Sequence, residues 1–398
     1  MRASISHLFA RIASATSSAL AGQRARALAR RRRLQVLAFA LLTSLIAHRF
    51  VRAEDVAAAL YVRTDTDQTT VISPRTRAQK QFDENTSADV TYAADIWTSA
   101  SIDIRASASK RPVTEQRDEL DVGVTHAWTD VTLHGGYRFS SEHDYSSHGA
   151  SLGLAYDFAD NAARLEAGLH AFVDRVGQSG NPHFARPVGT VDGTLSFTQV
   201  LDPMMYAQLT YELAHIEGYQ ASPYRFVGVG GTGFGCIDAS LCLPERVPGA
   251  RTRHAFALQM RRALSDAFSV GLTYRYYLDD WALRSHTVLG EFGWNVGQHT
   301  LLAARYRFYT QGGVEFYQAR YAALTADQFR TRDRELSPLN YHRAGIELEH
   351  SFELADEQSS LIASLAVSGN LYHYPNFVGL TEIVALEISA GVLLELLP

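Results

Sequence analysis

Lysine is almost missing: Lys80 and Lys110 are the only two in 398 residues, so arginine carries nearly all the positive charge. A composition bias accounts for this as well as any need for guanidinium geometry. Cysteine is scarce too, with Cys236 and Cys242 alone, six positions apart in a glycine-rich stretch. Two cysteines cannot build a disulfide framework, and no histidine stands at ligand spacing beside them, which argues against a metal site. A disulfide closing a small loop is the favoured reading. After the first segment there is no apolar run long enough for a helix to cross a bilayer. A glycine-rich phosphate loop and a nucleophile-elbow sequence are also missing.

The first segment has its own character. Arg24, Arg26 and the run Arg30 to Arg33 precede an apolar core from Leu34 to Ala47, and Val51-Arg52-Ala53 offers a small residue before Glu54. This predicts a cleaved signal peptide over residues 1–53 and an exported mature chain over 54–398. Removing residues 1–53 takes away ten arginines and no acid, so the formal charge falls from −5 to −15. An acidic chain of this kind argues against nucleic acid or an anionic membrane surface as a partner, where a basic face would be expected.

What the chain does have is alternation. Phe268, Val270, Leu272, Tyr274, Tyr276 and Leu278 share one face, while Ser269, Gly271, Thr273, Arg275 and Tyr277 share the other, which is the period of two of a strand. The same rhythm recurs from Leu120 to Leu396. Short connections at Thr129, Asp160, Asp202, Ser265, Gly297 and Glu353 to Ser359 alternate with longer ones, the longest being Gly218 to Arg251 and Gln311 to Pro338. These strands approach the ten or so residues that a tilted strand needs to span a bilayer, longer than soluble strands average. The fold expected is therefore all-β, an antiparallel transmembrane β-barrel with short periplasmic turns and long extracellular loops. Its strands number about 16 with the weak segments Ser87 to Ala94 and Ser99 to Ser107, or 14 without them. The segment Thr64 to Glu84 reads as polar and irregular. Tyr137, Phe139, Tyr156, Phe158, Tyr274, Tyr276, Trp294, Tyr306 and Phe308 fall near strand ends on the apolar face, as an interfacial girdle does.

Several segments outside the wall carry a resemblance. Ser99-Ala100-Ser101-Ile102-Asp103, Glu142-His143-Asp144-Tyr145, Ser222-Pro223-Tyr224-Arg225, Glu245-Arg246-Val247-Pro248, Gly313-Val314-Glu315-Phe316-Tyr317 and Arg332-Asp333-Arg334-Glu335-Leu336 stand in this order. Together they resemble a domain-of-unknown-function family (3570 type) of exported Gram-negative proteins, over roughly the whole mature chain. The resemblance implies a barrel in the outer membrane, and it brings no established activity. The ending Leu394-Glu395-Leu396-Leu397-Pro398 departs from the terminal aromatic that barrel-assembly machinery commonly reads.

Charged side chains on the polar face cannot meet lipid without a penalty of a few kcal/mol at mid-bilayer, so they are expected to line the interior. The candidates singled out are Arg138, Arg275, Arg305, Arg307, Arg343, Glu347 and Glu349. A sixteen-strand barrel encloses more space than side chains fill, so water or an inserted loop is expected inside. The loop from Gly218 to Arg251 is the candidate to fold inward, with Arg246, Arg251 and Arg253 narrowing the mouth. The expected function is a porin-like channel for small solutes, without cofactor or metal, with outer-membrane lipid and the assembly machinery as partners. A barrel hydrolase using the cluster Glu142, His143, Asp144 and His148, or a structural barrel without an open pore, is the alternative.

Overall fold

The computed structural model describes residues 55–99, 113–232, 235, 236, 238–354 and 359–396. Two expectations, a signal peptide over residues 1–53 and a strand from Ser99 to Ser107 beyond Ser99, lie outside the described residues. Sixteen strands form the wall. The first nine are β1 (Asp55–Asp65), β2 (Thr69–Gln81), β3 (Thr86–Ser99), β4 (Val113–Ala127), β5 (Val131–Ser141), β6 (Tyr145–Phe158), β7 (Ala163–Val176), β8 (Arg186–Asp202) and β9 (Met205–Gly218). A small hairpin, β10 (Phe226–Val229) and β11 (Leu241–Pro244), follows inside a loop. The wall resumes with β12 (Ala250–Ala263), β13 (Phe268–Asp279), β14 (Arg284–Val296), β15 (Thr300–Gln311), β16 (Leu339–Glu353), β17 (Ser360–His373) and β18 (Glu382–Glu395).

Each wall strand pairs antiparallel with its sequence neighbour, and β1 closes on β18 in the register Asp55↔Glu395 to Asp65↔Ala385. Closure leaves no strand edge with unpaired backbone groups. Strand lengths run from 11 residues in β1 to 17 in β8, enough to cross a bilayer at a tilt. The two faces differ as the alternation requires. Leu152, Leu154, Leu209, Leu272, Ile346 and Val384 stand exposed on the outer face, an apolar band with nothing packed on it. Arginine, acid, serine and glycine take the inner positions between them.

The ends of the barrel are unlike. One end carries short connections, and the first strand begins there beside the end of the last. The β6–β7 turn runs through Ala159, Asp160 and Asn161, all with positive φ, and the β14–β15 turn through Gly297 at φ 73°. Asp, Asn and Gly tolerate that region best, so these turns sit where the sequence supplies them. The other end carries loops 177–185, 219–249, 312–338 and 374–381, although the connections 66–68, 142–144 and 280–283 there are as short as turns.

One expectation fails locally. The segment read as irregular contains β2, which pairs with both β1 and β3. Its inner residues Ser73, Arg75, Arg77 and Gln79 alternate with small or weakly apolar Thr76 and Ala78, so no hydrophobic period marks it. Pro74 cannot donate to a ladder, and the pairing with β3 skips from Ile72↔Ile96 to Arg75↔Ala93 around it. The wall has sixteen strands with β2 among them, where the sequence reading has no strand.

Candidate functional site

The inner wall is charged and unevenly so. On β12 to β16 the inward ions are mostly arginines: Arg251, Arg253, Arg261, Arg275, Arg305, Arg307 and Arg343. On β3 to β8 they are mostly acids: Asp89, Asp95, Glu115, Glu119, Asp121, Asp174 and Asp192. Many are tied locally. Arg138 pairs with Glu119 at 2.5 Å and Asp121 at 3.6 Å, Arg275 with Glu212 at 2.6 Å, and Arg343 with Glu387 at 3.0 Å. Arg305 joins Glu291 at 3.1 Å and also pairs with Glu347. Arg307 and Glu349 have no ionic partner among the described residues, and neither has Arg253, whose Nε is buried without a hydrogen bond. The lumen therefore keeps free positive charge on the β12 to β16 side.

These side chains are open to solvent. Arg261, Arg305 and Arg343 keep 47%, 48% and 43% of their side-chain surface although each faces the inside of a closed barrel. An interior filled by packing would bury them.

Over one end of this lumen the two longest loops fold together. Loop 219–249 is stiffened by β10, β11 and the Cys236–Cys242 disulfide, so the small covalent loop expected from the spacing is present. Its Val227 and Val229 pack on Tyr321 of loop 312–338. Val314 and Phe316 of the second loop pack with Trp281 and Leu283 from the β13–β14 connection. Tyr374, Phe377 and Ile383 make a third small core, joined by Tyr317.

A polar clasp holds the two loops. Glu245 is 7% exposed and accepts hydrogen bonds from the Ser222 N–H at 2.7 Å and the Thr331 hydroxyl at 2.5 Å, while Arg225 lies 3.2 Å away. Arg225 also reaches Asp333 at 2.9 Å. Next to these, Tyr224 donates to Asp144 on the β5–β6 turn, and Arg334 reaches Asp67 on the β1–β2 turn at 2.6 Å. Four residues, Tyr224–Arg225 and Asp333–Arg334, thus tie one turn to another four strands away. Because the loops themselves rise from β9, β12, β15 and β16, they have to cross the mouth to make that strap.

Beneath Tyr224 lies a cavity of about 510 Å³ lined by Arg117, Arg138, Glu142, Tyr145, Phe172 and Asp174. Burial, opposed by Arg117 and reinforced by Asp144, raises the Glu142 carboxyl above its ordinary range. On the lid itself Glu335 keeps solvent contact, yet its surroundings are close enough that desolvation, and then Asp333, raises its pKa.

A family model described as "Protein of unknown function (DUF3570)" matches residues 103–190 and 188–364. The chain belongs to this family. No curated protein matches the sequence. Among solved structures, a bacterial polysaccharide outer membrane secretin is similar at 9% identity and TM-score 0.48, covering 86% of this chain and 98% of its own. Pseudomonas aeruginosa OprD follows at 8% and 0.41, covering 87% and 96%. The CymD monoaromatic hydrocarbon channel stands at 8% and 0.40, covering 86% and 88%.

In this DUF3570 chain the sequence candidates are distributed differently from the way they were singled out. Arg138, Arg275, Arg305, Arg307, Arg343, Glu347 and Glu349 all occupy inner-face positions. Arg246 joins the two lid loops: its backbone exchanges hydrogen bonds with Arg330 and its side chain holds the Ala326 carbonyl. Arg251 is 7% exposed and locked to Asp279, which also accepts from Tyr277, Trp281 and Leu283. The cluster from Glu142 to His148 does not assemble: His148 faces outward and bonds Tyr137, while Asp144 serves the strap. No group of three metal-ligating side chains occurs among the described residues. The clasp residues Glu245, Thr331 and Asp67 carry no spacing signal, yet Tyr224, Arg225, Glu245, Asp333 and Arg334 all belong to segments that carried the family resemblance.

Proposed function

We propose that this protein is an outer-membrane channel for small solutes, exported by an N-terminal signal peptide and inserted by the barrel-assembly machinery, with a two-loop lid on its extracellular mouth. The observation that carries the reading is the hydrated inner wall: arginines that face inward and stay nearly half exposed need water around them. The apolar outer band supports insertion in lipid, and the short-turn end then faces the periplasm. The unequal walls favour dipolar or charged solutes over apolar ones, since a solute passing between them meets acid on one side and arginine on the other.

The test is single-channel recording of refolded protein in a planar bilayer. Steps of conductance that show ion selectivity support the channel. Silence under conditions where a known porin conducts, with the protein showing the heat-modifiable gel mobility of an inserted barrel, refutes it.

A further inference from the structure

Outside the barrel, one side-chain arrangement is repeated four times. Tyr137 of β5 bonds His148 of β6 at 2.7 Å, Tyr211 of β9 bonds His254 of β12 at 2.9 Å, Tyr274 of β13 bonds His286 of β14 at 2.8 Å, and Tyr306 of β15 bonds His342 of β16 at 2.8 Å. In each case the tyrosine hydroxyl meets Nδ1 of the histidine on the next strand. In three of the four a second ring on the tyrosine's strand lies 5.0 Å from the imidazole: Phe139, Tyr276 and Phe308.

All four histidines stand on the outer face, two to four residues inside the long-loop end of their strands. They form a belt at one level, above the apolar band. A phenol that donates to Nδ1 leaves Nε2 carrying the proton, and protonation of the ring keeps that N–H as well. In that tautomer, and in the protonated ring, the belt presents four oriented N–H donors. No carboxylate lies within ion-pair distance of any of the four among the described residues, in contrast to His170, His299 and His373. Packing alone asks for aromatic rings at this level. It does not ask for a histidine whose free nitrogen is aimed by a hydrogen bond at the other.

We infer that the four Tyr–His pairs form a docking belt for the terminal, monoester phosphates of surrounding outer-leaflet lipids, in preference to the diester phosphates of choline-type headgroups. The inference rests on the membrane placement proposed above, since only there does this face meet lipid. Phosphate oxygens accept strongly, and the level of the belt, next to the apolar band and near the loops, is that of the headgroups. The belt would fix the depth and rotation of the barrel without the lysines that the sequence lacks.

The experiment compares native protein with the quadruple variant H148Q/H254Q/H286Q/H342Q, each refolded into phosphatidylcholine vesicles containing spin-labelled phosphatidic acid or spin-labelled phosphatidylcholine. The fraction of motionally restricted label reports the lipid in contact with the barrel. The expected native preference for phosphatidic acid is about threefold, the size of one modest net hydrogen bond per headgroup, and it falls to near one in the variant. Removing the four hydroxyls by Tyr→Phe at 137, 211, 274 and 306 lowers it in part. A native barrel that inserts, shown by heat-modifiable mobility, but has no preference overturns this inference and leaves the membrane reading standing. A preference that survives in the inserted histidine variant also overturns it and assigns the effect to the outward Arg175 and Arg284. Failure of the native protein to insert overturns both readings.

Discussion

Replacing Glu245 by alanine removes the centre of the lid clasp and leaves the wall untouched. The carboxylate accepts from the Ser222 N–H and the Thr331 hydroxyl and faces Arg225, and its side chain is 2% exposed. Hydrogen bonds to a charged group are worth about 1.5–3 kcal/mol each, and breaking a buried pair costs about 3–5 kcal/mol. Arg225 is 22% exposed and keeps Asp333, so its share is small and the whole loss comes to about 3 kcal/mol. The loss falls on the lid, because neither loop contributes to the barrel ladder and loops open as local units. At about 1.4 kcal/mol per factor of ten, the open lid becomes roughly a hundredfold more populated. Limited trypsin digestion of vesicle-inserted protein reads this directly, since Arg246 and Arg330 lie inside the two loops and cleavage of an opened segment tracks its population. Open probability in the bilayer should rise in parallel. Cleavage within about threefold of native, with heat-modifiable mobility intact, would show that the clasp does not hold the lid and that the magnitude is wrong.

Other outcomes follow from the same geometry. Arg307→Glu should move the reversal potential toward cation selectivity, because Arg307 has no carboxylate to neutralise it. Arg305→Glu is the poorer probe, since it would break the links to Glu291 and Glu347. An unchanged potential in Arg307→Glu removes that residue from the conducting path. Crowding by the closed lid, which partly desolvates the still solvent-accessible Glu335, and then Asp333 raise its pKa, so the closed lid holds its proton more tightly than the open one. Lid stability should fall as pH rises from the ordinary glutamate range through the raised value, and protease protection against pH should lose that slope in Glu335→Gln. Reducing Cys236–Cys242 should cost the lid about 2 kcal/mol, seen as faster loop cleavage with unchanged barrel mobility.

The alternation of Phe268 to Leu278 was readable as strand because the apolar residues have lipid on one side and water on the other, and that difference imposes a period of two. Where the difference weakens, as in β2 with Thr76 and Ala78 outside and Pro74 in the middle, the sequence reads as irregular although it forms wall. Inward position was readable for the same reason, so Arg138, Arg275 and Arg307 were found. Which of them is neutralised was not, because Glu119 and Glu291 come from the next strand and Glu212 from two strands away, in a register set by turns and closure. The Tyr–His pairs show this most simply: Tyr137, Tyr274 and Tyr306 were visible as girdle residues, Tyr211 only as an apolar-face residue, and their histidines lie 11, 12, 36 and 43 positions away.

Sequence alone determined that this chain makes an antiparallel barrel wall of about 14 to 16 strands with two long loops at one end, since that follows from local periodicity and turn chemistry. The tertiary structure decided what those loops do. Asp67 and Arg334 are 267 positions apart, and Asp144 and Tyr224 are 80. Only closure of β1 onto β18 brings their turns around the same mouth, and only packing of Val227 and Val229 on Tyr321 makes two loops into one lid.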